Sequence, residues 1–457
     1  MSAFAWTMDE VATALDARLR GTAPRQQTTF TAVSTDTRTM PAGALFVALR
    51  GENHDAHDHL GAAVAAGAAG VVVSDAPKAS ALTVPVFVVD DTLHALGALG
   101  HHRRDRWGKP VVGVTGSNGK TSTKELLRAA LGARFRVHAT QGNLNNQVGV
   151  PLTLLALPDD AEIAVVEMGT SMPGEIALLR AIAAPDISVL TSVAEAHLEL
   201  LGSIDGVRRE KSAIFDNVAV AVVPATEPEV IAMARERAAR VVVAGLGAGD
   251  VRSTRWGASE DTLAGGGWLE VDGTRIEVPL RGEHNLRNAM LAVAVAKECG
   301  VSLADIARGI AAMPQPKMRL AAEPLGKALL INDAYNANPG STRAAVDLLA
   351  GTGRGRQRVL VLGTMRELGA GAAALHAEIA KRAVQSSIEV IAGIGDFAPP
   401  LAAFGDERVV TAADVDDLWP LLRTRLAPDA VILLKASRGM KLERIVPHLT
   451  TWAATTG

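Results

Sequence analysis

Residues 111–123 read Val-Val-Gly-Val-Thr-Gly-Ser-Asn-Gly-Lys-Thr-Ser-Thr, and no other stretch constrains the fold so closely. The branched residues up to Thr115 suit a buried parallel strand, and the small residues after it let backbone N–H groups turn inward on an anion at a helix N-terminus. Thr115, Gly116, Ser117, Asn118, Gly119, Lys120, Thr121 and Ser122 are therefore expected to cradle phosphate. Lys120 would meet the terminal phosphates, and Thr121 would hold Mg²⁺ through its hydroxyl. The front of the loop departs from the common spacing: counting back from Gly119-Lys120, the expected first glycine falls on Val114, and glycines stand instead at 113, 116 and 119.

A chain of 457 residues is long enough for about three domains, each able to bury its own core. Only 3% of residues are aromatic, so these cores are aliphatic, which favours α/β layers. A net charge of −3, with no basic stripe interleaved with aromatics, argues against nucleic acid as a partner. The single cysteine, Cys299, excludes an intrachain disulfide framework and a multi-thiolate metal site. Asp9 and Glu10 precede any apolar stretch, unlike a secretory signal, and the apolar run 61–73 is too short to span a bilayer. A soluble, cytoplasmic protein without membrane insertion is expected.

Three units follow from the punctuation. Residues 1–107 form the first, with an amphipathic helix over 8–19, a helix over 60–69 and strands at 70–73 and 84–89. Its loop 54–59 holds His54, Asp55, His57, Asp58 and His59. Because no helical face converges them, loop hydrogen bonds and contacts to a polar ligand are expected there rather than a zinc site. Gly108 and Pro110 open the second unit, 108–313. Its segment 141–153 concentrates amides, among them Asn143, Asn145 and Asn146, which suit sugar, peptide or phosphate contacts or simply bond their own backbone.

Strands 163–166 and 187–190 run into Glu167 and toward His197. Ligands of open α/β sheets bind where strands end, so both residues are placed to see the phosphates, and a carboxylate with an imidazole can ligate a divalent ion. Lys211, on a helix over 204–215, reads as one more solvated charge. Residues 252–278 read as a glycine-broken β meander. Asn285 and Asn288 then share a helical face, to read a base or ribose edge or to cap the helix. Two prolines, Pro314 and Pro316, open the third unit, 314–457, in which three strands end in polar, glycine-marked loops at 332–341, 363–369 and 435–440.

Gly-Val-Thr-Gly-Ser-Asn-Gly-Lys-Thr, Glu-Met-Gly, Ala-His-Leu-Glu, Gly-Glu-His-Asn-Leu-Arg-Asn, Asp-Ala-Tyr-Asn-Ala-Asn-Pro and Lys-Ala-Ser-Arg-Gly-Met occur in this order. Together they resemble the Mur ligase family of cell-wall synthesis. The resemblance spans all three units and implies a small N-terminal α/β domain for the UDP-substrate, a central P-loop-type domain with a mostly parallel sheet for ATP, and a Rossmann-like C-terminal domain.

It implies an ATP-dependent ligase that joins D-alanyl-D-alanine to UDP-N-acetylmuramoyl-tripeptide through an acyl phosphate, by default a monomer. Lys120 and the loop would hold the ATP phosphates, Thr121 and Glu167 one Mg²⁺, and His197 a second, with Lys211 carbamylated by CO₂ in support. Asn285, Asn288, Arg319, Asp333 and Tyr335 match nucleotide-side positions. Ser34, Asp36, Thr37, Arg38, Asn53, Asp55 and His57 match the region for the uridine-diphosphate end. Asn143, Asn145 and Asn146 match the middle of that substrate, and Asn336, Lys435 and Ser437 lie in the third-unit loops that complete the site. Ala56, Met318 and Ala436 stand where the family usually has glycine, and Thr364 where it usually has aspartate. A sister ligase that adds a single amino acid to a shorter UDP-peptide, and a nucleotide-binding regulator without chemistry, remain alternatives.

Overall fold

The computed structural model describes residues 5–16, 18–20, 28–259, 265–314, 318–353 and 355–456. The chain divides into two compact units, one of Met1–Val114, Phe135–Thr170 and Gly174–Ser188, the other of Thr115–Arg134, Ser171–Pro173 and Val189–Gly457.

In the first unit a five-stranded sheet runs in the order Arg18–Arg20, Val86–Val88, Gly70–Val73, Leu45–Val47, Val33–Ser34. Only Arg18–Arg20 is antiparallel to its neighbour. Side chains alternate across the sheet, so Leu45, Val47 and Val72 join one cluster with Leu96 and Leu99, while Phe46, Val71 and Val73 join another with Leu60 and Ala63. The first helix, Met8–Leu15, opens on a reciprocal Thr7–Glu10 cap and stops at Asp16, whose φ is 47°. The expected helix over 8–19 is thus cut short by a left-handed turn, and 18–20 form a strand. The expected helix over 60–69 likewise ends at Ala65.

Helix Thr92–Trp107 starts where Asp91 accepts from the Leu93 and His94 amides at 2.7 and 2.9 Å and ends at Gly108, φ 66°. Strand Val111–Thr115, buried along its length, pairs in parallel with Ile163–Glu167, which pairs in parallel with Val137–Ala139. These three strands are parallel neighbours within the first unit.

In the second unit Val220–Pro224, Arg240–Leu246 and Val251–Ser253 are parallel neighbours. Arg252 therefore belongs to this parallel set, and the antiparallel meander is confined to Arg255–Ala258, Gly267–Val271 and Thr274–Val278. Helices Lys120–Gly132 and Glu283–Glu298 pack together. A further six-stranded sheet has the order Ala321–Leu325, Ala328–Asp333, Val431–Lys435, Arg358–Leu362, Val390–Ile394, Val409–Ala412, parallel except for the first strand.

Its alternate residues feed two cores, Leu330, Val361 and Ile432 with Leu418 and Leu449 on one face, Ile331, Leu360 and Leu433 with Val346 and Ile379 on the other. Helices on both faces make this the doubly wound arrangement expected of a Rossmann-like fold. Its register sets Asp333 beside Lys435 and Lys435 beside Leu362, which brings the three following loops to one edge. Of the proline-marked boundary, 315–317 lie outside the described residues; just after them Met318 and Leu320 have φ of 55° and 56°.

Candidate active site

The phosphate loop takes its shape from two glycines and from the segment after strand Ile187–Leu190. At Gly116, φ 152°, a Cβ would stand 1.9 Å from Thr191 Oγ1; at Gly119, φ 81°, it would stand 2.7 Å from Asn288 Nδ2. The Ser117 amide donates to Ser192 O at 2.8 Å, the Asn118 amide to Ser192 Oγ at 3.1 Å, and Thr191 Oγ1 donates to Asn118 O at 2.5 Å. The Ala194 amide donates to Ser117 Oγ at 3.0 Å. The amides of Ser117 and Asn118, expected to face an anion, are thus engaged in fixing the loop. The first turn of helix Lys120–Gly132, which begins directly at Gly119, carries Thr121 and buried Ser122. Lys120 Nζ donates to Gly116 O at 2.6 Å, which folds the ammonium over the loop.

Glu167 ends its strand only 1% exposed. Its amide donates to Thr140 Oγ1 at 2.9 Å, and its carboxylate accepts from Asn145 Nδ2 at 2.8 Å. Of the three amides expected to meet substrate, Asn145 therefore holds Glu167, Asn146 Oδ1 accepts from the Val148 and Gly149 amides at the start of helix Gly149–Leu155, and Asn143 is exposed. The backbone-bonding reading of such a loop applies to Asn146.

His197, φ 55°, precedes helix Leu198–Leu201, and its Nδ1 bonds the Glu367 carboxylate. That hydrogen bond holds Glu367 below the ordinary carboxylate range. Lys211, expected to be solvated, is 0% exposed in the last turn of helix Ile204–Ser212. Full burial of a lysine is rare, so this position differs from the solvated charge that its helix neighbours suggest.

Asn285 and Asn288 are buried in helix Glu283–Glu298, with Asn288 Nδ2 on Asn285 Oδ1 at 3.1 Å and Asn285 Nδ2 on Arg281 O at 2.7 Å. Asn288 lies directly against Gly119. His284, next to this pair, was not singled out by its sequence setting. Burial pushes its imidazole below the ordinary value, against the pull of the Asp333 carboxylate. At the edge of the six-stranded sheet Lys435 Nζ donates to Asp333 at 2.7 Å and to Asn336 O at 2.8 Å. Ser437 Oγ accepts from the Arg366 amide at 3.0 Å, and the Arg319 guanidinium lies 4.3 Å over the Tyr335 ring. Asn338, also absent from the expected set, donates to Asn118 Oδ1 at 2.8 Å and so ties this edge to the phosphate loop.

In the N-terminal sheet Arg38 grips Asp36 through Nε at 2.9 Å and Nη2 at 2.6 Å, and this hydrogen bonding takes the carboxyl down to about 2. The Asp36 amide donates to Ser34 Oγ at 3.3 Å, and Thr37 lies partly buried between the pair. Asn53 is exposed. Asp55 accepts from Lys78 at 3.1 Å and from the His57 amide at 3.0 Å; burial raises its pKa, but these hydrogen bonds outweigh it and hold the group well below the usual range. His57 was expected to touch substrate, but its ring is buried with Nδ1 on Asp55 and Nε2 accepting from the Ser74 amide, so both nitrogens serve the loop itself.

The description "Mur ligase middle domain" matches residues 114–296, "Mur ligase, glutamate ligase domain" 318–438, and "Mur ligase family, catalytic domain" 29–104. The UDP-N-acetylmuramoyl-tripeptide–D-alanyl-D-alanine ligase of Bacillus subtilis (strain 168) is 36% identical over 442 residues, 93% of this chain and 94% of that protein. The chain belongs to the Mur ligase family. A crystal structure of MurF from Acinetobacter baumannii matches with TM-score 0.91 at 30% identity, covering 99% of this chain and 100% of the other. The MurF ligase of Thermotoga maritima in complex with ADP matches with TM-score 0.81 at 26% identity, covering 93% and 98%.

The departures of this Mur ligase from the family pattern have local explanations. Met318 has φ 55°, a conformation that glycine adopts without strain, which accounts for the usual glycine. Ala56 is not in the left-handed region and needs no glycine. A Cβ on Gly363 would lie 2.8 Å from the Cβ of Ala436, so the space that Ala436 takes is left open across the strand pair. Thr364, uncharged where the family usually has aspartate, accepts through Oγ1 from the Asp396 amide at 2.9 Å.

Proposed function

We propose that this Mur ligase joins D-alanyl-D-alanine to UDP-N-acetylmuramoyl-tripeptide and cleaves ATP to ADP and phosphate. The observation that carries the reading is the end-to-end match to relatives of that one name, with Lys120, Glu167, His197 and Lys211 all present. A carboxylate resists amines because it is anionic and lacks a leaving group. The γ-phosphoryl group passes to the tripeptide carboxylate to give an acyl phosphate and ADP; the dipeptide amine then attacks the acyl carbon, loses a proton, and phosphate leaves.

The first step brings anions together, so cationic screening is the main requirement. Lys120 and the first turn of its helix meet the phosphates. Thr121 and Glu167 are assigned to one Mg²⁺ and His197 to a second; bound magnesium supplies charge neutralisation. Among the described residues no group of three or more His, Cys, Asp or Glu forms a ready metal cage. Magnesium enters with substrate phosphates and one or two carboxylates. Lys211 is assigned to a carbamate, formed when its neutral amine adds CO₂ and releases a proton; the product is an anion where a cation would repel metal. Its complete burial supports a modified side chain.

Segment 1–107 is assigned to the UDP-substrate, 108–313 to ATP and 314–457 to closure over the reacting groups. Closure excludes water from the acyl phosphate, with the segment near Pro314 as hinge. The protein acts as a cytoplasmic monomer in peptidoglycan precursor synthesis, on which cell shape and division depend. Among the described residues no helix is long and apolar enough to cross a membrane.

The test is phosphate release from Mg·ATP with UDP-N-acetylmuramoyl-tripeptide, with and without D-alanyl-D-alanine, beside shorter UDP-peptides offered D-alanine or diaminopimelate. Release that needs tripeptide and dipeptide together is expected. Release only with a shorter UDP-peptide would move the protein to a sister ligase, and none with any pair would end the enzymatic reading.

A further inference from the structure

We propose that Glu367 is a positioning residue that holds the His197 imidazole with Nδ1–H toward itself and Nε2 turned to metal. The proposal rests on the assignment of His197 as a magnesium ligand. It begins from two adjacent oddities of backbone: His197 has φ 55° and Glu367 φ 64°, both non-glycine residues in the left-handed region, and their side chains meet. Such conformations are strained for a residue with a Cβ and persist where the surroundings enforce them. Here they do. The Met365 amide donates to buried His376 Nε2 at 2.9 Å, and His376 is itself fixed by Nδ1 on Ala372 O at 2.7 Å. The next amide, of Arg366, donates to Ser437 Oγ at 3.0 Å. Gly369 then passes so close to residue 199 that a Cβ would lie 3.1 Å from Glu199 Cα. A loop pinned at successive amides and pressed on the segment after His197 is a rigid mount for one carboxylate.

The chemistry of the pair is directional. A neutral imidazole carries one N–H and one lone pair, and a carboxylate that accepts from Nδ1 fixes the proton there. Nε2 is left as the only ring lone pair, and no other hydrogen bond engages the ring among the described residues. A histidine that binds metal through one nitrogen commonly donates from the other to a carboxylate, which sets its tautomer and raises its basicity; loss of such a partner lowers metal affinity or activity about 10–100-fold. Because Glu367 arrives on the loop after strand Arg358–Leu362, the orientation of His197 depends on that loop being in place.

The tautomer is read by ¹⁵N NMR of histidine-labelled, metal-free protein, with the His197 signals identified by their loss in His197→Gln. The wild type is expected to show Nδ1–H, and Glu367→Ala to revert toward Nε2–H. Mn²⁺ binding is then measured by electron paramagnetic resonance in the presence of a β,γ-methylene ATP analogue. Glu367→Ala is expected to bind about 10–100-fold more weakly, with near-isosteric Glu367→Gln between the two because its amide oxygen still accepts from Nδ1–H. A wild-type Nε2–H tautomer, or unchanged Mn²⁺ affinity in Glu367→Ala, overturns this proposal and leaves His197 as a ligand. A His197 ring that Mn²⁺ with nucleotide fails to broaden overturns the ligand assignment, and the proposal with it.

Discussion

Gly116→Ala tests how the phosphate loop is held. The added Cβ would fall 1.9 Å from Thr191 Oγ1, 3.1 Å from Thr191 Cβ and 3.1 Å from Ser192 N. Ordinary contact begins near 3.4 Å, so either Thr191 swings away or the loop moves by more than an ångström. Swinging forfeits the hydroxyl's bond to Asn118 O, about 1 kcal/mol. Residual crowding adds about 1–3 kcal/mol, and the φ of 152° adds strain for any Cβ. A total of about 2–4 kcal/mol falls on the loop assigned to phosphate. ATP-analogue affinity by titration calorimetry should therefore fall at least about 30-fold, at about 1.4 kcal/mol per decade.

Thr191→Ala alone should cost about 1 kcal/mol. In the double variant the worst contact is gone, so affinity should recover by about tenfold over Gly116→Ala. Wild-type affinity in Gly116→Ala, or strictly additive losses in the double variant, would refute the claim that residues 191–194 shape the loop.

Lys211→Ala should be inactive in phosphate release and partly rescued by millimolar short carboxylic acids, which replace the carbamate; wild-type turnover without additive removes that assignment. Met318→Gly should relieve left-handed strain of about 1 kcal/mol while freeing the unfolded chain by a comparable amount, so the melting temperature should stay within a few degrees; a large fall would mean that the Met318 side chain itself is a major contact. Arg38→Ala should return the Asp36 pKa from about 2 toward 3.8, read by NMR. Because the folded value lies below the ordinary one, the Arg38–Asp36 contribution is present above about pH 4 and fades as pH falls through about 2; an unmoved titration would show that another group depresses Asp36.

The parallel strands and the helix at Lys120 were legible because burial on both faces writes itself as continuous branched residues, and strand ends as glycine and polar clusters; the Rossmann-like C-terminal fold was expected from the family resemblance. What escaped depends on contacts distant in sequence. Lys211 looks like its charged neighbours Arg209 and Glu210, and only tertiary packing removes it from water. His57 looks like a ligand-facing loop residue until Asp55 and Ser74 claim both nitrogens. The amides at 143–146 are indistinguishable by type, yet one holds a carboxylate, one its own backbone, and one lies exposed. Glu367 and Asn338 had one available signal, a polar residue in a glycine-marked loop after a strand, but their partners His197 and Asn118 lie 170 and 220 residues away.

The same distance effect explains the unusual spacing of the phosphate loop. In the common pattern the first glycine lets the loop wrap the phosphate with its own backbone. Here Val114, at that position, is a fully buried strand residue, so the strand runs on and leaves only Gly116–Gly119 to make the turn. Four residues cannot hold that shape alone. Ser192 receives the amides of Ser117 and Asn118, Thr191 caps the Asn118 carbonyl, and Asn288 closes behind Gly119. Structure that a longer loop would carry internally has passed to residues some 75 and 170 positions later. The glycines that remain sit where a Cβ would strike those braces, so their positions follow from the partners and could not follow from the loop's own pattern.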